Sequence, residues 1–333
     1  MKQLNLYISE KLYHQQVDEK LVINKDIKSY KYQPKTRDEL KELVDKLIEE
    51  RGYDADLNDI DTSEITDMAY IFHRSKFNGD ISDWDVSKVE DMNGMFDQSQ
   101  FNGDISDWDV SKVKSMTGMF GNSNFNGNIS NWDVSNVKNM NHMFESSKFT
   151  GENGDISNWD VSKVENINEM FANSTFNRDI SNWDVSNVEN MKHMFYNSKF
   201  NKDISKWDVS NVKNMSSMFH RSKFNGDISN WDVSKVENMG YMFACSTFNG
   251  NISKWNVSNV KNMGNMFFES EFNGDISKWN VSNVKYMECM FNGSKFTGEN
   301  GDISKWNVSK VKNMEDMFTN SPLEKNPPKW YKE

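Results

Sequence analysis

The sequence predicts an α/β tandem-repeat solenoid, on three observations. Trp84, Trp108, Trp132, Trp159, Trp183, Trp207, Trp231, Trp255, Trp279 and Trp306 recur every 24 residues, with two steps of 27. Apolar residues make up only 36% of the chain, but they are concentrated in large side chains, 22 Phe, 21 Met and 11 Trp. With only two cysteines there is no disulfide framework, so stability must come from units that bury their aromatic rings against their neighbours.

Residues 1–31 precede the repeat and are read as an attachment segment with two short strands, Leu4 to Ser9 and Lys20 to Asn24. Residues 32–56 are expected to form a capping helix. Thr36-Arg37-Asp38-Glu39 is a capping box, Leu40, Leu43, Val44, Leu47 and Ile48 make one apolar stripe, and Gly52 closes the segment. This helix is expected to lid the first unit.

Residues 57–321 hold eleven units, the first degenerate, with Ile60 where Trp belongs. The full unit reads F-N-G-D-I-S-x-W-D-V-S-x-V-x-x-M-x-x-M-F-x-x-S-x, as in Phe77 to Gln100. Ile81, Trp84, Val86 and Val89 follow leucine-rich-repeat spacing, which makes W-D-V a short half-buried strand. Val89, Met92, Met95 and Phe96 then fall at steps of three and four, the spacing of a helix with Ser87 as its N-cap. Ser87/Glu90, Ser162/Glu165, Ser186/Glu189 and Ser234/Glu237 add capping boxes. Asn78-Gly79 is expected to use positive φ to return the chain to the strand, although Arg178 and Lys202 replace that glycine in two units. Strands pack more closely than helices, so the expected form is a right-handed horseshoe with a concave parallel sheet and short convex helices. Residues 322–333 form the C-terminal cap: Pro322, Pro327 and Pro328 stop the repeat, and Leu323 and Trp330 cover its end.

The net charge of −11 argues against nucleic acid and anionic membrane as partners, since both require clustered Lys and Arg. No apolar run approaches the ~18 residues of a membrane span, and the opening carries no signal-peptide cleavage site or lipid-anchor cysteine. Synthesis in the cytoplasm without membrane insertion is expected, and Cys245 and Cys289 read as free thiols.

No catalytic, cofactor or metal constellation breaks the repeat. His73 and His220 share one repeat position and His142 and His193 another, the latter pair two units apart. The Ser of W-D-V-S lies near an Asp in every unit, but no His recurs to serve as its base. The Phe, Met and Trp columns have the spacing of an inward face and are assigned to the core.

The candidate binding face is the row flanking Trp: Asp83/Asp85, Asp107/Asp109, Asn131/Asp133, Asn158/Asp160, Asn182/Asp184, Lys206/Asp208, Asn230/Asp232, Lys254/Asn256, Lys278/Asn280 and Lys305/Asn307. It runs from acidic to basic. Two readings stay open for the Asp after Trp, an Asx turn onto a local N–H or a graded surface for a partner of opposite polarity. Thr150-Gly151-Glu152-Asn153-Gly154 and Thr297-Gly298-Glu299-Asn300-Gly301 are matching three-residue expansions. They are either the trace of a duplicated block or paired contact loops, with Glu152, Asn153, Glu299 and Asn300 as the candidate contacts.

Over residues 57–321 the W-D-V-S-x-V-x-x-M-x-x-M-F-x-x-S-x-F-N-x-D-I-S unit resembles the BspA-like leucine-rich-repeat surface proteins of bacteria, phages and protists. The opening MKQLNLYISEKL resembles those of proteins encoded by gut bacteriophages. The resemblance implies a solenoid and adhesion. The expected function is therefore non-enzymatic recognition of a protein or glycan partner, as in host-surface adhesion, with no cofactor. The alternative is a phage virion component anchored by residues 1–31.

Overall fold

The computed structural model describes Gln16–Val17, Lys20–Leu21 and residues 30–332. The expected strand Leu4 to Ser9, and Asn24 at the end of the other, lie outside the described residues. Strand β1, Gln16–Val17, pairs antiparallel with β2, Lys20–Leu21, Gln16 facing Leu21.

Helix α1, Arg37–Arg51, is the capping helix. The Thr36 hydroxyl accepts the Glu39 N–H at 3.3 Å, while the Glu39 carboxylate reaches the Lys35 N–H at 2.7 Å. Gly52, at φ 93°, ends the helix by donating its N–H to Ile48. Leu40, Val44 and Leu47 are buried against the first unit. Arg51 forks onto Asp59, and Tyr32 pairs in parallel with Ile60.

From there each unit lies in register with the next, and one core runs from α1 to Phe318. The Trp, Phe and Met columns all point inward. Phe72, Phe96 and Phe120 begin a column of parallel rings whose neighbouring centroids lie 5.5–6.1 Å apart. Each Trp Nε1–H donates at 2.9–3.3 Å to a carbonyl of the preceding unit, from Trp84 to Leu57 through to Trp330 to Ile303. Trp330 is thus the last rung of the Trp ladder, with its ring 6.2 Å from that of Trp306.

The convex helices are not present: α1 is the single α-helix among the described residues. The segment expected to be helical makes the inter-unit ladder instead. Met92, Gly94, Phe96 and Gln98 donate their N–H groups to Ser115, Thr117, Met119 and Gly121 of the next unit, while Met95, Asp97 and Ser99 close four-residue turns within their own. Gly94 and Gln98 both have positive φ, 57° and 56°. A left-handed residue every fourth position breaks an i→i−4 helix and turns alternate N–H groups outward. Each non-glycine residue held there costs ~1–2 kcal/mol, a cost opposed by ladder bonds worth ~1 kcal/mol apiece.

The W-D-V ladder is also absent among the described residues. The N–H groups of Trp84 and Val89 bond to Ile81 and Val86 within the same unit, and in this segment the Trp84 indole N–H reaches the preceding unit. The parallel bridges fall instead on the residue before the first Met, running Asp67, Asp91, Ser115, Asn139, Asn166 and onward.

The capping boxes are replaced by ion pairs. Glu90, Glu165, Glu189 and Glu237 pair with Lys114, Lys138, Lys213 and Lys261 of adjoining units at 2.6–3.4 Å. These pairs are exposed and contribute little apiece. The Asn-Gly turn also differs from expectation. Gly103, Gly127 and Gly226 do not have positive φ, and a Cβ at any of them would lie 2.8–2.9 Å from the Phe ring two residues earlier. Glycine provides room there. The Asn beside it extends its Oδ1 to a backbone N–H one unit on, as Asn78 does to Asn102 at 2.7 Å.

Candidate binding face

The predicted row lies in register on the surface. Asp83, Asp85, Asp107, Asp109, Asp133, Asp160 and Asp184 are exposed, as are Lys206, Lys254, Lys278 and Lys305. The column after Trp is held by local geometry. Asp85, Asp109, Asp133, Asp160 and Asp184 each accept the N–H of the Ser two residues on at 3.0–3.1 Å, and Asn256, Asn280 and Asn307 do the same at 3.1–3.2 Å. These bonds close Asx turns. Hydrogen bonds from Ser162 and Ser210 hold Asp160 and Asp208 below the usual carboxylate range. Because Asn serves equally in the last units, the turn needs the oxygen and not the charge.

The two expanded loops are fastened alike. Asn153 and Asn300 each donate an amide N–H to a backbone carbonyl of the preceding unit, that of Asn126 at 2.7 Å and Asn273 at 2.8 Å. Two of the four candidate contacts therefore staple their own loops. Glu152 pairs with Arg178 at 2.9 Å, whereas the second loop borders the C-terminal cap, with Gly298 beside Leu323. The copies are equivalent in backbone and different in surroundings.

A third group spans His142 and His193, which stand two units apart in sequence. Glu169, in the unit between them, approaches both: its Oε2 lies 3.6 Å from His142 Nδ1 and its Oε1 3.3 Å from His193 Nδ1. Glu145 Oε2 lies 2.7 Å from His142 Nδ1 on the other side. All three sit on one left-handed column, His142 at φ 56°, Glu169 at 59° and His193 at 55°. On this face the side chains vary from unit to unit. A shallow pocket there is lined by Glu145, Glu169, His193, Tyr196, His220 and Tyr241, and Tyr241 is 43% exposed. Its sequence signal was present: the residue two after the first Met, Gly in two units, is His, Glu, His, Ser and Tyr in the next five.

A model of a family described as a Mycoplasma protein of unknown function, DUF285, matches residues 39–153, 147–246 and 221–330. The chain belongs to this family. No curated protein and no solved structure matches it. The three DUF285 matches run from α1 to the C-terminal cap, so the repeat and both of its ends fall within the family's span.

Two histidines of this DUF285 chain, His142 and His220, have opposite electrostatics. Glu145 holds His142 above its ordinary range, opposed by burial and aided by Glu169. Burial pushes His220 down to about 4, with Arg221 and His193 adding to the effect. Its ring lies 5.1 Å from Tyr196 and 5.7 Å from Tyr241. Because its folded pKa is depressed, the unfolded chain takes up the proton first, and stability falls as pH drops from about 6.5 towards about 4. His220→Phe should therefore gain stability relative to the wild type at pH 4.5 compared with pH 7; Phe268 occupies the same column two units on. Urea midpoints at the two pH values measure this, and an identical difference at both would contradict it.

Proposed function

We propose that this chain is a non-catalytic recognition protein, a right-handed solenoid related to the BspA-like leucine-rich-repeat surface proteins, that binds a protein or glycan partner through the face of Glu145, Glu169, His193, Tyr196, His220 and Tyr241. One observation carries the reading: the scaffold's side chains are occupied in holding unit to unit, whereas this face varies and presents partly exposed aromatic rings beside carboxylates. Aromatic faces with adjacent polar groups suit saccharide rings and peptide side chains alike. A non-catalytic role is supported by the serines. From Ser99 to Ser294, the Ser two residues before the first Phe of each unit is buried and accepts that Phe's backbone N–H, as Ser222 does for Phe224 at 3.1 Å.

The test is binding of labelled full-length chain to a glycan array and to intact host cells, beside Tyr196→Ala/Tyr241→Ala and Asp83→Lys/Asp107→Lys. The tyrosine pair should weaken binding by about tenfold or more, as loss of a central aromatic contact does. If only the charge reversal weakens binding, the partner docks on the Trp-flanking row instead. No binding by the wild-type chain to either surface rejects the reading.

A further inference from the structure

We propose that His142, Glu145 and Glu169 form a mononuclear site for a divalent cation of the zinc class. Their donor atoms, His142 Nδ1 and one carboxylate oxygen from each Glu, all lie within 4.8 Å of one another. A tetrahedral ion with bonds of ~2.0–2.1 Å needs donors about 3.3 Å apart. The His142 Nδ1 distances of 2.7 Å to Glu145 and 3.6 Å to Glu169 fall on either side of that value. Small side-chain adjustments therefore suffice.

The donor set of one imidazole and two carboxylates suits a borderline cation, with water in the remaining position. Both carboxylates are mostly shielded, their side chains 26% and 22% exposed for Glu145 and Glu169. Two negative groups this close call for positive charge. The permanent positive charge beside them is Lys192, and His142 and His193 place imidazole nitrogens against the carboxylates.

Outer contacts are also in place. His193 Nδ1 lies 3.3 Å from Glu169 Oε1 and holds that carboxylate from behind, while His142 Nε2 lies 3.3 Å from Asn168 Nδ2, so an Nε2–H in the loaded site is accepted once the Asn168 amide turns its Oδ1 to the ring. For Nδ1 to bind the ion the neutral ring must hold its single proton on Nε2, so the imidazolium releases its Nδ1 proton to solvent and the neutral Nδ1–H ring exchanges that proton for one on Nε2. Affinity should therefore fall as pH drops. The site rests on these three side chains and stands whether or not a macromolecular partner binds nearby.

The experiment uses untagged, chelator-stripped full-length chain, titrated with Zn2+ by calorimetry and with Co2+ by visible absorption. One saturable equivalent is expected, together with a rise in Tm on adding Zn2+. His142→Ala and Glu169→Gln should each weaken binding by about tenfold or more and abolish the Tm rise, while His73→Ala should leave both unchanged. If His142→Ala does not fold, Glu145→Gln and Glu169→Gln, which preserve side-chain shape, carry the test. Absence of saturable binding, or a site that the folded variants leave intact, overturns the proposal.

Discussion

Replacing Trp207 by alanine is expected to destabilise the chain by ~3–5 kcal/mol, the range for truncating a buried large aromatic residue. Trp207 is 3% exposed, packs its ring 6.3 Å from Phe195, and donates its indole N–H to Ile180 at 3.1 Å. Alanine leaves a cavity and removes one of the two donors to the Ile180 carbonyl, which keeps the Trp183 N–H at 3.2 Å. Its position gives the effect a second consequence. Trp207 is near the middle of the stack, and in a repeat array stability is close to a sum of units and interfaces, so a weak central interface uncouples the blocks on either side. Unfolding in urea, followed by the remaining tryptophans, should broaden or split into two transitions. Trp207→Phe should cost less, because most of the ring remains. Trp330→Ala should cost less still, because Trp330 sits at the end of the ladder and is only partly buried. A single transition displaced by less than ~1 kcal/mol would contradict this account of the Trp column.

Leu47→Asp should have an effect of similar size at the other end. Leu47 is fully buried on α1, and an unpaired carboxylate there costs several kcal/mol. The expected response is undocking of α1, whose 15 residues are too short to be stable alone in water. Leu57, Ile60 and Ile65, at most 1% exposed in the native chain, would then meet solvent. An uncovered end of a parallel stack is a template for another copy. Loss of ellipticity at 222 nm together with concentration-dependent light scattering is the expected outcome. A variant that stays monomeric with an unchanged melting curve would show that α1 is dispensable as a lid.

Much of the scaffold was legible because it depends on chemistry repeated in every unit. The Trp period set the register, and the capping box and apolar stripe located α1 at Arg37–Arg51. Of the two readings for the Asp after Trp, the Asx turn is the one its bonds to Ser describe. The ladder was not legible, because inward residues at steps of three and four serve a chain of four-residue turns as well as a helix. What separates the two is φ at Gly94 and Gln98, and Gln does not announce a left-handed conformation.

The sequence by itself determined the period, the inward columns, the caps and the polarity of the exposed row, since each follows from side-chain type and spacing along one chain. Only the tertiary structure decided which segment joins unit to unit and that Glu90 meets Lys114 instead of capping a helix. It also decided that Glu169 stands between His142 and His193. Those outcomes depend on where N–H groups and side chains point once units stack, and a contact between residues 24 or 27 positions apart exists only when neighbouring backbones share their ladder.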